Sequence, residues 1–407
     1  MLFNECEIVA VGGEELNQAD NIIDAEGALL FPGIIDAHVH FREPGITHKA
    51  DIASESRAAL AGGVTSFFDM PNTVPQTTTV EAWREKMERA KLSSVANYAF
   101  FPGLTEHNIN EILNFDFSLI PGVKVFLGSS TGGMLVSDCR VLDTLFANVK
   151  APIVVHAEDE SVIAKARNET LKREGNDPHV RFHSEIRPVE ACVKATEHAL
   201  ELLSLHPSAH LHIAHLSTSE EVELVKKAKK QGLNVTCEVS PHHLLFSTDD
   251  YQRLGSRIKM NPSVKEPRHR EALRQGVREG VIDIIATDHA PHLLSEKEGN
   301  ALTAVSGAPM VQFSLAVALE LFDSEIVLRT MCEGPARVFG VEGRGKIAPG
   351  YAPEMVLLNR IEQGYTITDS DVLSKCGWTP LNGRTLHHRV HRTILPHPSA
   401  LRFRHNH

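Results

Sequence analysis

The sequence is poor in the features that would place a chain outside the cell or in a membrane. Its six cysteines, Cys6, Cys139, Cys192, Cys237, Cys332 and Cys376, show no C-x-x-C spacing in 407 residues. A chain of this length buries a core without crosslinks, so a disulfide scaffold is excluded and a reducing cytoplasm is expected. No run of about 18 apolar residues occurs, which excludes a membrane-spanning helix. The start, MLFNECEIVAVGGEEL, lacks a basic stretch followed by a long apolar one, and no secretory leader is expected. Positive charge is also short, with 41 Lys and Arg against 52 Asp and Glu and a net charge of −11. That balance argues against nucleic acid or an anionic membrane as partner, and any anionic small molecule must be held by locally placed cations.

What is present is material for a large core. Hydrophobic residues make up 42% and charged residues 23% of the chain, as in ordinary globular proteins. Apolar, β-branched-rich runs at Leu30–His40, Val64–Met70, Val95–Phe101, Val123–Leu127, Pro152–His156, Leu211–Leu216, Val235–Val239 and Ile282–Asp288 read as eight strands. Between them, Ala50–Ala61, Val80–Lys91, Val189–Leu205, Ser219–Lys230 and Pro267–Glu279 carry apolar residues at helical spacing. Eight strand–helix units in about 260 residues predict an α/β fold, a closed (β/α)8 TIM-type barrel over residues 31–340. Residues 1–30 and 341–407 are short, extended segments punctuated by Gly and Pro and are expected to form a small β domain from the two chain ends. The stretch from His387 to His407 holds four Arg and six His with no acid. Its composition predicts a solvated or disordered basic tail, with a metal-binding His tail as the alternative.

Candidate chemistry sits where the predicted strands end. In FPGIIDAHVHFREPG, His38 and His40 stand at i and i+2 at the end of an apolar run. Side chains two apart on a strand point the same way, so both imidazoles converge on one point. Lys124 in GVKVFLGSS, His156 in PIVVHAED, His215 in LHIAHLST and Asp288 in IIATDHAPH end later strands. Any one strand-end His is more often structural than ligating. Four His and one Asp at the same end of different strands match the place where barrel active sites are assembled.

The ordered set HVHFREPG, DMPNTVP, KVFLG, VVHAED, IAHLST, CEVSPHHL and TDHAPH resembles the amidohydrolase superfamily, and within it the dihydroorotases, over roughly Ile22 to Arg389. The resemblance implies two zinc ions per subunit in a barrel, bridged by Lys124 after reaction with CO₂ to a carbamate. Carried over, His38, His40 and Asp288 hold one zinc, and His156 and His215 the other. Neutral imidazole and carboxylate suit Zn²⁺, whereas an ammonium cannot coordinate a cation, so Lys124 is a ligand only as the carbamate. Metal lowers the pKa of water to about 7, and the resemblance makes Asp288 the residue that takes up and returns a proton. It assigns the substrate carboxylate to Arg42, Asn72 and His292, and part of the ring pocket to Asn261. A guanidinium pairs with a carboxylate in two-pronged fashion, and amide and imidazole donate further hydrogen bonds.

The implied activity is the reversible cyclisation of N-carbamoyl-L-aspartate to L-dihydroorotate in pyrimidine (UMP) biosynthesis. Its partner is that small molecule, and a homodimer is an assembly the resemblance allows. Blander readings stand beside these roles: a salt bridge to Glu43 for Arg42, a turn residue for Asn72 and an Asn-Pro turn for Asn261. The segment Leu127–Leu135, LGSSTGGML, is a candidate lid or an ordinary βα loop. The short start and the run VHRTILPHPSALRFRHNH depart from the family, leaving the small sheet with an expected gap. Two rivals stay open. One is an allantoinase or hydantoinase, which would lack the combined Arg42, Asn72 and His292 set. The other is a non-catalytic barrel, whose usual mark is loss of metal ligands; all six are present here.

Overall fold

The computed structural model describes residues 1–12, 19–128 and 134–405. Thirteen strands occur in this part of the chain: β1 Leu2–Phe3, β2 Ile8–Ala10, β3 Leu29–Pro32, β4 Ile34–Val39, β5 Val64–Asp69, β6 Asn97–Phe100, β7 Val123–Phe126, β8 Ile153–His156, β9 Leu211–Ile213, β10 Val235–Val239, β11 Ile284–Ile285, β12 Met355–Thr366 and β13 Thr385–Ile394. Strands β4 to β11 are parallel and pair in sequence order as two arcs, β4-β5-β6 and β7 to β11. Single bridges close the arcs into a ring. Gly103 pairs with Lys124 and Val39 with His289, the latter reinforced by the His40 amide donating to the His289 carbonyl at 2.8 Å. The fold is an eight-stranded α/β barrel.

The helices follow the apolar spacing closely, at Ile52–Ala61, Val80–Ser93, Val189–Leu205, Ser219–Lys230 and Pro267–Arg278. Their starts are chemically fixed. Asp51 and Thr218 each accept from a backbone amide of the first turn and complete capping boxes with Ser54 and Glu221, a device that satisfies amides with no partner inside the helix. The larger apolar cluster lies between these helices and the strands. A second cluster fills the barrel's interior with Ile35, Phe68, Phe101, Val154 and Ile284.

Two expectations are corrected at the chain ends. The first predicted strand, Leu30–His40, is two strands with a break at Gly33. A Cβ there would lie 2.1 Å from the Thr65 hydroxyl, so the chain can pass only as glycine; β3 pairs with β12 while β4 enters the barrel. The expected solvated tail is instead structured. The VHRTI run continues β13 to Ile394, so a strand does return to the sheet β13-β12-β3. Beyond it, Leu401 and Phe403 are buried, the Leu401 amide donates to Tyr98 and the Arg404 amide to Gly340. Two large apolar side chains spaced by one residue outweigh the basic composition, because extended chain puts both on one face. The strands β1 and β2 form a separate pair, tied to the C-terminal part through Ile8 and Tyr351. Among the described residues, no helix is long and apolar enough to cross a membrane.

Candidate active site

Five strands deliver the six candidate ligands: β4, β8, β9 and β11 at or just past their carboxyl ends, and β7 from its second residue, so that Lys124 does not end its strand as expected. His38 and His40 leave β4 with ring centroids 5.4 Å apart. Asp288, just beyond β11, places Oδ1 3.1 Å from His40 Nε2 and 3.4 Å from His38 Nε2. These three residues form a metal-competent cluster, their ligand atoms within 4.8 Å of one another. Across the cavity, His156 Nδ1 and His215 Nε2 approach to 2.9 Å. Lys124 from β7 completes the ring, and all six residues line one cavity with Arg42, Asn72 and Asn261.

The backbone is strained at this ring. Four described non-glycine residues have positive φ, and three are Arg42 at 68°, His215 at 35° and Asp288 at 49°. Such conformations cost of order 1–3 kcal/mol each and persist where the surroundings over-determine them. They aim side chains that an ordinary strand end would not.

The electrostatics suit metal ligation. Burial pushes His40 down to about 4 against the pull of Asp288. Burial, then His156 and His38, holds His215 well below its usual value, and burial also lowers His156. Neutral imidazoles are the ligating form. Burial favours protonated Asp288, but His38 and His40 outweigh it and hold the carboxyl at about 2. Lys124 is 1% exposed and its Nζ has no hydrogen-bond partner among the described residues; burial lowers it to about 8. A lone buried ammonium among imidazoles is costly. An amine turned into an anionic carbamate there would match its surroundings.

Two carboxylates that sequence reasoning missed orient the ring. Glu158 Oε2 lies 2.9 Å from His156 Nε2 and is paired with Arg187. Glu238 contacts His38 Nδ1. Both engage the ring nitrogen remote from the cluster, as second partners of ligating histidines do. The available signal was their position, Glu158 two residues past His156 and Glu238 at the end of β10.

Of the blander readings, the salt bridge between Arg42 and Glu43 does not form, while Asn72 and Asn261 do stand in bent segments. Glu43 accepts from the Ile52 amide at 3.0 Å and approaches Arg89 rather than Arg42. Arg42 has no carboxylate partner among the described residues; its Nε donates to the Pro291 carbonyl and Nη2 lies 2.9 Å from His292 Nε2. Asn72 is 6% exposed and its Oδ1 lies 2.8 Å from His40 Nδ1. Asn261 Oδ1 lies 3.1 Å from His183 Nε2. His292 stands behind Arg42, outside the cavity wall, with Lys49 Nζ 3.0 Å from its Nδ1. Of the candidate lid, residues 129–133 lie outside the described residues.

The amidohydrolase family model matches residues 29–378. A dihydroorotase from Methanosarcina mazei is 35% identical over 397 residues, covering 93% of this chain and 85% of that protein. One from Halobacterium salinarum is 37% identical, covering 92% and 89%. Among solved structures, the L-hydantoinase (dihydropyrimidinase) of Arthrobacter aurescens superposes with a TM-score of 0.92 at 26% identity, covering all of this chain and 92% of that one.

Proposed function

Because this chain belongs to the amidohydrolase family, we propose that it is a dihydroorotase, a hydrolase of cyclic amides that interconverts N-carbamoyl-L-aspartate and L-dihydroorotate in pyrimidine synthesis in the cytoplasm. One observation carries the choice of substrate. Arg42 and Lys49 both direct donors at the His292 ring, and burial together with those two cations holds that imidazole far below its usual range. A neutral imidazole accepts at one nitrogen only; Lys49 is paired with Glu296 at 2.8 Å, whereas Arg42 lines the cavity with no carboxylate partner among the described residues. A substrate carboxylate supplies that partner. Arg42 then pairs with the carboxylate and Asn72, its Oδ1 already engaged by His40, offers its amide nitrogen.

His38, His40 and Asp288 would hold one zinc, His156 and His215 the other, with carboxylated Lys124 between them; the orphaned Lys124 Nζ and the neutral imidazoles fit that group. Zinc supplies a Lewis acid and lowers the pKa of water to about 7. Ring opening adds water to the ring carbonyl carbon and breaks its bond to nitrogen. Asp288 Oδ2, which neither histidine engages, takes the proton from water and returns it to that nitrogen. Arg42, Asn72 and Asn261 fix the ring so that its carbonyl meets the cluster.

The hydantoinase reading shares the barrel and the cluster, so turnover decides between them. Absorbance assays should show hydrolysis of dihydroorotate with little turnover of hydantoin or allantoin. The opposite preference would overturn the assignment.

A further inference from the structure

The interior of an eight-stranded barrel is normally filled by branched aliphatic side chains. Here a polar ladder occupies part of it. Strand β9 places His212 opposite Thr236 of β10, and with Glu238 and His38 they form a buried run, exposed by 0%, 8%, 1% and 2%. Such groups are costly inside a protein unless every donor finds an acceptor.

The ladder meets that condition with a single set of proton positions. His210 Nε2 lies 2.8 Å and His212 Nδ1 2.9 Å from the Thr236 hydroxyl. His212 Nε2 lies 3.3 Å from Glu238 Oε2, while Glu238 Oε1 contacts His38 Nδ1 and takes the His215 amide at 3.3 Å. A hydroxyl both accepts and donates. His210 therefore donates to Thr236, Thr236 to His212 Nδ1, and the remaining N–H of His212 points at Glu238. Glu238 in turn fixes one candidate ligand of each zinc: the ring of His38 and the strained backbone of His215.

We propose that His212, set by Thr236, is a positioning residue for the metal centre, acting through Glu238 to hold His38 in the tautomer whose Nε2 faces the cluster. The inference rests on the zinc reading above. His212 touches neither metal nor substrate, so its effect must appear as metal affinity. Partners of ligating histidines typically contribute 10–100-fold to affinity, and one step further out about 10-fold is expected.

The test is zinc stoichiometry and competition with a chelator on the purified full-length chain, alongside thermal melting of the zinc-free protein. His212→Leu should weaken zinc about 10-fold at one of two positions. His212→Gln, whose amide N–H still reaches Glu238, should restore most of that loss, and Thr236→Val should fall between. A merely structural role would lower the melting temperature of all three zinc-free proteins and leave zinc affinity in place, which would overturn the proposal. Should His212→Leu not fold, Thr236→Val decides: affinity equal to wild type overturns it, and a loss that His212→Gln does not share supports it. A wild-type chain that binds no zinc overturns the zinc reading itself, a result distinct from unchanged variants of a zinc-binding wild type.

Discussion

Asp288 and Arg42 face the same cavity with opposite charges, and that contrast separates chemistry from recognition. Asp288→Asn keeps the shape but removes the base, and turnover should be abolished at every substrate concentration. Arg42→Ala deletes one side of a buried charge-assisted contact and should cost about 2–5 kcal/mol in kcat/KM. Because Arg42 touches no member of the cluster, its variant should keep wild-type zinc content. An Arg42→Ala protein with wild-type affinity for dihydroorotate would remove the carboxylate assignment. Lys124 makes a different case. Its Nζ has no hydrogen-bond partner among the described residues and lies 5.2 Å from the Phe126 ring centroid; as the proposed carbamate it would hold both ions, so Lys124→Ala should lose zinc and activity together, with partial rescue by short-chain carboxylic acids. Full zinc in that variant would refute a bridging role.

At the scale of elements, the strand ends were legible because chemistry and periodicity coincide there: a polar residue terminating an apolar run can be seen in one sequence. What faces the barrel interior was not. Strand β4 shifts register between Asp36 and Val39. Ile35 and Ala37 belong to the interior cluster, and so by simple alternation His38 and His40 would point outward. The irregularity turns them inward, and no residue type announces it. Glu238 and His212 were hidden for a related reason, since their partners lie on other strands, and Glu158 because its second partner, Arg187, is 29 residues away. The loop from Ala290 to Ala308 is a further example. Lys297, 1% exposed, donates to the carbonyls of Lys259, Val305 and Gly307 at 3.0, 2.6 and 2.7 Å, and Ser306 and Gly307 line the cavity. Lys297→Met removes a donor from all three carbonyls, of which that of Lys259 keeps the Gly307 amide at 2.9 Å, and loosens the cavity wall. KM for dihydroorotate should rise several-fold, with zinc content unchanged. Equal KM values would show that this wall takes no part in positioning substrate.

The whole molecule is a barrel with chemistry at one end and a seal at the other, and the seal comes from the last residues of the chain. Phe403 packs edge-on to Phe68 at 5.6 Å, beside Phe339 and Leu401 in the interior cluster. His405 Nε2 reaches the carbonyls of Phe117 and Ile120 at 2.9 and 3.1 Å. Composition concealed this, because a segment of arginines and histidines reads as solvated when averaged, while burial is decided by two side chains. Phe403→Ala removes a buried ring and leaves a cavity that the rigid strand ends cannot close, at a cost of about 3–5 kcal/mol. That is a large part of the stability of an ordinary domain. The site stands at the opposite end of the strands, so the loss should fall on stability alone. Thermal melting should shift strongly downward while kcat and zinc stoichiometry, measured well below the transition, stay near wild type. If melting is unchanged, the tail does not seal the barrel. If activity falls with the fold intact, the N-terminal face communicates with the cluster, and the ladder through His212 is the route along which it would do so.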